Sequence, residues 1–357
     1  MLKNNTNNVF IGIDVHKRTY SVTAVSENFV IKRASMPADK EILLAFIHKY
    51  FSNNSVFSVY EAGFSGFGLH RFLKDNGIQN IVVHAASIEV AANNKSKTDK
   101  RDSEKMAMQL SQGKLKCVNI PSPEREYWRS ITRFRLQLVS DKTRVACRIK
   151  SLLFYFDMIP YSHKGKTSRK WIMSLLKLEV NEDLFCCIEH FVKIWLGLDS
   201  IIKNIDKRLK EQARKDVKIN NIYMSNDGFG LISTRTLANE LGDFSQFESE
   251  KALSNWIGLT PSEHSSGDHR WLGHITRQGN PIIRGILTEC AWRAIKINSD
   301  LGIYFDRIVR NTGSRKKAIV AVARKLICQV RTEFVKGDTF IHHKRRNSYD
   351  LATKNKE

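Results

Sequence analysis

Ile11-Gly12-Ile13-Asp14-Val15-His16-Lys17 is the stretch on which the fold turns. The apolar run begins at Val9 and ends on a carboxylate, which reads as a buried strand that delivers Asp14 to a sheet edge. Tyr20 to Val25 and Phe29 to Met36 follow as strand-like runs across short polar turns, so a meander opens the chain. An amphipathic helix over Glu41 to Phe51, an apolar run Val56 to Tyr60, a helix over Gly68 to Asn76 and a strand at Ile81 to His84 come next. Helices that alternate with strands after a meander predict a mixed α/β domain over residues 1–120.

Pro121 and Pro123 punctuate the chain, and the pattern beyond them is helical. From Arg125 to Phe156, Trp128, Ile131, Leu138, Val145, Ile149 and Leu152 recur at helical intervals. Arg125, Arg129 and Arg133 stack at i, i+4 spacing on another face, where they could grip phosphates. Ile188, Phe191, Trp195, Leu198, Ile202, Ile205 and Leu209 form a heptad seam. Residues 121–215 are therefore expected as a coiled-coil helical hairpin. Residues 216–338 are expected as a second helical domain, and 339–357 as a basic disordered tail.

Four acids stand where chemistry would use them. Asp14 and Glu61 each close a strand, and side by side they would meet at one sheet edge. Asp99 and Asp102, in Lys97-Thr98-Asp99-Lys100-Arg101-Asp102, share one face at the entrance to a helix through Met108. Clustered carboxylates repel one another unless cations neutralise them, and oxygen-only ligands suit Mg2+ or Mn2+.

The chain of 357 residues carries 58 Lys plus Arg against 36 Asp plus Glu, a net charge of +22, which points to a polyanionic partner. With 42% hydrophobic residues it buries real cores, which excludes wholesale disorder. No apolar stretch approaches the roughly 18 to 20 residues of a membrane span, and the first residues lack an export signal, so a soluble intracellular protein is expected. Its six cysteines are scattered without CxxC spacing, so they are expected as buried free thiols.

In the last third, Asp227-Gly228-Phe229-Gly230 reads either as a helix-hairpin-helix turn whose glycine amides approach a phosphate or as a plain turn between helices. Ser266 lies in what reads as a polar loop beside His264, Asp268, His269 and Arg270. Arg270, Arg277, Arg284, Arg315, Lys316, Lys317, Arg324, Lys325 and Arg331 are expected to contact phosphates, and Trp271 either to stack on a base or, as the favoured reading, to pack.

These residues resemble the DEDD-type transposases and invertases of the insertion sequence one-ten family, relatives of the Piv pilin-gene invertase and of the bridge-RNA-guided recombinases. The Gly-Ile-Asp strand and the Lys-Thr-Asp-x-x-Asp segment carry the first half of the resemblance. The second half rests on an ordered set: Leu241-Gly242-Asp243-Phe244, Trp256-Ile257-Gly258-Leu259-Thr260-Pro261, Ser266-Gly267, Gly273-His274-Ile275-Thr276-Arg277-Gln278-Gly279-Asn280 and Arg284. The chain departs from the family at Asn226-Asp227-Gly228-Phe229-Gly230, where a Pro-Gly-Ile-Gly is usual.

The resemblance implies a RuvC-like domain of ribonuclease-H fold whose DEDD acids are Asp14, Glu61, Asp99 and Asp102, holding Mg2+ or Mn2+. It also implies a carboxy-terminal transposase domain with Ser266 as nucleophile, attacking a DNA phosphate to give a covalent intermediate. The expected partners are DNA (element ends and target), a structured guide RNA and further copies in a dimer or tetramer, in a prokaryotic cytoplasm at the nucleoid. Two other readings stay open: a RuvC-like nuclease for branched DNA, and a non-catalytic nucleic-acid-binding protein.

Overall fold

The computed structural model describes residues 8–89, 99–159, 167–266 and 269–337, without the side chains of residues 99, 100, 264–266, 269, 270 and 272. The tail expected at 339–357 lies outside the described residues. The chain divides into two compact units, Met1–Ile120 and Pro121–Glu357.

In the first unit, β1 (Asn8–Val15), β2 (Thr19–Ser26) and β3 (Phe29–Pro37) form the antiparallel meander. Then come α1 (Lys40–Phe51), β4 (Ser55–Glu61), α2 (Gly68–Asp75), β5 (Gln79–Val83) and α3 (Asp99–Ser111). The sheet order is β3-β2-β1-β4-β5, with β4 parallel to β1 and β5 parallel to β4. This mixed five-stranded sheet agrees with a ribonuclease-H-like fold.

Alternation along the strands sorts the two faces. Val9, Ile11 and Ile13 pack with Val56 and Tyr60 against Leu43, Ile47, Leu69 and Leu73 of α1 and α2. Their neighbours face the other way: Val59 and Val83 meet Met106 of α3. A side chain of Asp39 caps α1 by accepting from the Glu41 amide at 2.8 Å, which fixes where the helix begins.

The second unit opens with α4 (Pro123–Tyr155), whose Ser122 cap and first-turn Glu124 and Glu126 suit a helix N-terminus. It continues with α5 (Arg169–Ser174), α6 (Glu182–Lys215), α7 (Val217–Met224), α8 (Leu231–Leu241) and α9 (Glu250–Ile257). A two-stranded hairpin of β6 (Pro261–Ser266) and β7 (His269–Ile275) precedes α10 (Pro281–Ile297), α11 (Ser299–Thr312) and α12 (Arg315–Lys336). The boundary expected at 215/216 falls inside this unit.

Helices α4 and α6 run antiparallel, as the pairs Arg135–Asp206 and Lys142–Asp199 require. Leu138 packs with Ile202, Ile205 and Leu209, while Val145, Ile149 and Leu153 pack with Ile188, Val192 and Trp195. Phe191 and Leu198 of the expected seam are only half-buried, because the helix turns Val192 and Asp199 inward instead. Asp199 is held there by Lys142, Arg169 and Lys203 at 2.7 to 3.1 Å. The remaining helices enclose a core that includes Leu237, Leu241, Ile257, Ile283, Leu287, Val322 and Leu326. No described helix is long and apolar enough to cross a membrane.

Candidate active site

The first unit gathers its acids at one end of the sheet. Ile13 of β1 pairs with Tyr60 of β4, so the next residues, Asp14 and Glu61, leave neighbouring parallel strands together. Opposed residues of parallel strands share a face, and the Asp14 face is the one that also carries Gly12 and Val59. Helix α3 covers that face. Near its start Ser103 touches Gly12, and at its far end Ser111 Oγ donates to Asn28 Oδ1 at the β2–β3 turn, level with the start of β1. The helix therefore runs opposite to β1, and its first turn, with Asp99 and Asp102, lies at the end where Asp14 and Glu61 emerge.

Asp14 is partly buried, at 21% exposure, and stands 3.2 Å from His16 Nε2. Asp102, at 25%, accepts from Lys105 Nζ at 3.5 Å, and Glu61 is exposed. The Asp99 side chain lies outside the description. Among the described residues no three carboxylate, imidazole or thiol groups stand close enough to hold an ion. What fits a hard cation is the donor chemistry: oxygen ligands whose present partners, an imidazole and an ammonium, are themselves positive when protonated.

The serine occupies a different setting from the expected polar loop. Ser266 ends β6 and pairs with His269 across an antiparallel ribbon. Pro261 to Ser266 contains no apolar residue, so no period-two signal marks it as a strand; the ladder is a backbone matter and needs none. Trp271, expected to pack or to stack on a base, is 74% exposed on β7 and so does not pack.

The residues flanking the ribbon lock its root. Gly258 and Gly279 both have positive φ, and a Cβ on either would lie 2.0 Å from a backbone oxygen, of Gln278 and Trp256 respectively. One nitrogen of the Arg284 guanidinium donates to the carbonyls of Ile257, Gln278 and Gly279 at 3.0 to 3.1 Å, so this arginine braces the root rather than lying open. Asn280 caps α10 and donates to Glu240 Oε2 at 3.0 Å.

Glu240 also resolves the arginine stack. Arg133 and Arg129 both pair with its carboxylate, whose side chain is 1% exposed. Arg129 and Arg133 of the expected phosphate face are thus already paired with a buried carboxylate, although the Arg133 side chain stays 43% exposed. Its hydrogen bond with Glu240 raises the Arg133 pKa, whereas burial lowers those of Arg125 and Arg129. Arg125 lies against Gly242, where any Cβ would strike its guanidinium. Nothing in the α8 sequence signals a buried Glu240; a stacked arginine trio in want of an acceptor is the one clue.

The glycine turn is also used internally. Gly228 has φ +90, and a Cβ there would come 2.3 Å from the Cys290 carbonyl oxygen of α10. The Gly230 amide donates to Ser233 Oγ at 2.8 Å. Close helix packing accounts for Gly228 without a phosphate, whereas a Cβ on Gly230 would meet only ordinary contacts near 4 Å. Arg315 lies over Trp292 and Phe305, Lys325 over Tyr304, and Arg324 and Arg331 donate to Ser254 Oγ and the Phe247 carbonyl. Arg277, Lys316 and Lys317 remain exposed; the Arg270 side chain lies outside the description. All six cysteines are free, but only Cys290 and Cys328 are buried as expected; Cys117, Cys147, Cys186 and Cys187 are exposed.

A mixed sheet that brings acidic positions to one end beside a helix carrying two more, on a strongly basic chain, agrees with a DEDD-type transposase domain of ribonuclease-H-like fold. Residues 11–156 match the sequence model of the DEDD transposases of IS110 type, and residues 220–305 match that of the IS116/IS110/IS902 transposase family. The chain belongs to this family of insertion-sequence transposases. It is 26% identical to the transposase for insertion sequence element IS1533 of Leptospira borgpetersenii, over 80% of this chain and 85% of that one. It is 29% identical to the transposase-like y4qE of Sinorhizobium fredii over 71% of its own length, and spans 61% of that relative. The transposase for IS1111A of Coxiella burnetii is 23% identical over 64% of each chain.

Proposed function

We propose that the chain is the transposase of a mobile insertion sequence, a metal-dependent enzyme that cuts and rejoins DNA strands. What supports this is the shared end of the sheet at which Asp14, Glu61 and the first turn of α3 emerge, in a chain of this family. Asp14, Glu61, Asp99 and Asp102 would hold Mg2+ or Mn2+, which when bound supplies charge stabilisation to a phosphodiester transition state. His16 and Lys105, which pair with Asp14 and Asp102, would add positive charge beside those acids. The exposed Arg277, Lys316 and Lys317 fit backbone phosphates, of element or target DNA and equally of a structured guide RNA.

Ser266 supplies the nucleophile in the finer form of this reading. Its Oγ forms a bond to phosphorus as a phosphorus–oxygen bond to the adjoining sugar breaks, and the serine proton passes to the departing oxygen. Attack by a sugar hydroxyl on the serine ester then joins strands and restores the serine. A root braced by Gly258, Gly279 and Arg284 supports it, since a nucleophile must be held in place. Recombination by a dimer or tetramer follows from the same reading.

Purified protein incubated with Mg2+ and labelled element-end DNA is expected to give a denaturation-resistant adduct that Ser266→Ala abolishes. Cleavage without any adduct, unchanged in Ser266→Ala, would instead identify a nuclease that uses activated water.

A further inference from the structure

Glycine in mid-strand weakens a sheet, and in this chain one stands at the centre of β1 between Ile11 and Ile13. A Cβ on Gly12 would lie 1.9 Å from the Ser103 carbonyl oxygen and 2.8 Å from the Ala107 amide nitrogen of α3. Both are backbone atoms, so no change of rotamer makes room; the helix itself would have to move. On the adjoining strand Thr23 pairs in register with Gly12, and its hydroxyl bonds that of Ser103 at 2.9 Å. Both hydroxyls are buried, each residue at 1% exposure. The missing side chain at position 12 thus sets how close α3 approaches the sheet, and the hydroxyl pair sets where along the strands it stops.

Asp14 lies two residues beyond Gly12 on the same face, and Asp102 immediately precedes Ser103. We propose that Gly12 and the Thr23–Ser103 pair are positioning residues, which fix the separation between the strand acid Asp14 and the helix acids Asp99 and Asp102. This rests on the reading of those acids as metal ligands. Mg2+ demands near-ideal octahedral geometry, and ligand distances in a sound site hold to within about 0.2 Å, so displacement of α3 is felt first as lost ion affinity.

The test uses the full chain and Mn2+ alone, with free Mn2+ followed by electron paramagnetic resonance. Gly12→Ala is expected to keep its far-ultraviolet dichroism and to bind Mn2+ about ten- to a hundredfold more weakly, the usual loss when supports of a metal site are changed. Its cleavage should recover at high metal, with the half-maximal concentration raised and the maximal rate largely kept. Should Gly12→Ala fail to fold, the double variant Thr23→Val/Ser103→Ala decides the matter, since removing both partners of a buried hydrogen bond costs little stability. It too is expected to bind Mn2+ more weakly. A folded variant of either kind with wild-type Mn2+ affinity, while Asp14→Asn has lost binding, overturns the positioning role alone. Equal binding by wild type and Asp14→Asn overturns the metal site and this inference with it.

Discussion

Glu240 accepts the Arg133 guanidinium through two hydrogen bonds, of 2.6 and 2.9 Å, from a carboxylate almost wholly removed from solvent. The same carboxylate meets Arg129 at 3.3 Å and Asn280 at 3.0 Å. One acid therefore ties α4 and α8 to the root of the serine ribbon. Glu240→Ala leaves two guanidinium groups and an amide without their acceptor, and an expected loss of about 3–5 kcal/mol follows from breaking a buried ion pair one-sidedly. Urea unfolding followed by tryptophan fluorescence measures it, and Glu240→Gln should cost less because it keeps an oxygen for Asn280.

Gly228→Ala should lower stability by roughly 2 kcal/mol or more, from a positive φ combined with a steric conflict at the Cys290 carbonyl. Thermal unfolding reads this directly. A phosphate-cradling turn would give the opposite pattern, with weaker DNA binding and an unchanged melting temperature.

Asp199 makes part of the fold sensitive to acid. Burial pushes its carboxyl upward, but hydrogen bonds from Lys142 and Lys203 and their charges outweigh this and bring its pKa to about 2 from the ordinary 3.8. A depressed carboxylate stabilises the fold fully above its unfolded value and loses that contribution as the pH falls from 3.8 towards 2. Asp199→Asn should cost about 1–2 kcal/mol at neutral pH, discounted for its partly exposed lysines, and should flatten the acid limb of stability against pH.

His70 acts in a different range. It is buried against Asn80, with a 2.8 Å contact from its Nδ1, and burial lowers its pKa below the ordinary 6.5. The unfolded chain then binds a proton that the folded chain refuses, so stability should fall as the pH drops below about 6.5. His70→Gln should remove that slope in urea midpoints taken between pH 7 and pH 5.

Much of this fold is legible because burial writes itself into hydrophobic periodicity. Val9 to Val15 and Tyr20 to Val25 run apolar because they form a packed sheet, and both are strands; Phe29 to Met36 is a strand as well, though at this sheet edge Phe29 and Ile31 are exposed. The long helix from Pro123 shows its start through Ser122 and Pro123. The β6–β7 ribbon is illegible for the converse reason: Pro261 to Ser266 carries no apolar alternation, and its ladder is held by main-chain groups that every sequence has. The acids Asp14 and Glu61 are readable as strand ends, but their adjacency depends on β1 and β4 being neighbours in register, which no local pattern states. Charge misleads most. Arg129, Arg133 and Arg284 look like phosphate contacts in a basic chain, yet their partners are a distant carboxylate and three carbonyls.

The most direct measurement is Mg2+-dependent cleavage of labelled element-end DNA by Asp14→Asn and Asp102→Asn, each checked for folding and for DNA affinity. A lost metal ligand removes several kcal/mol of transition-state stabilisation, so a fall of roughly a thousandfold or more in rate is predicted, with affinity for the DNA kept. Folded variants that cut at the wild-type rate would contradict the proposal that these carboxylates carry the chemistry.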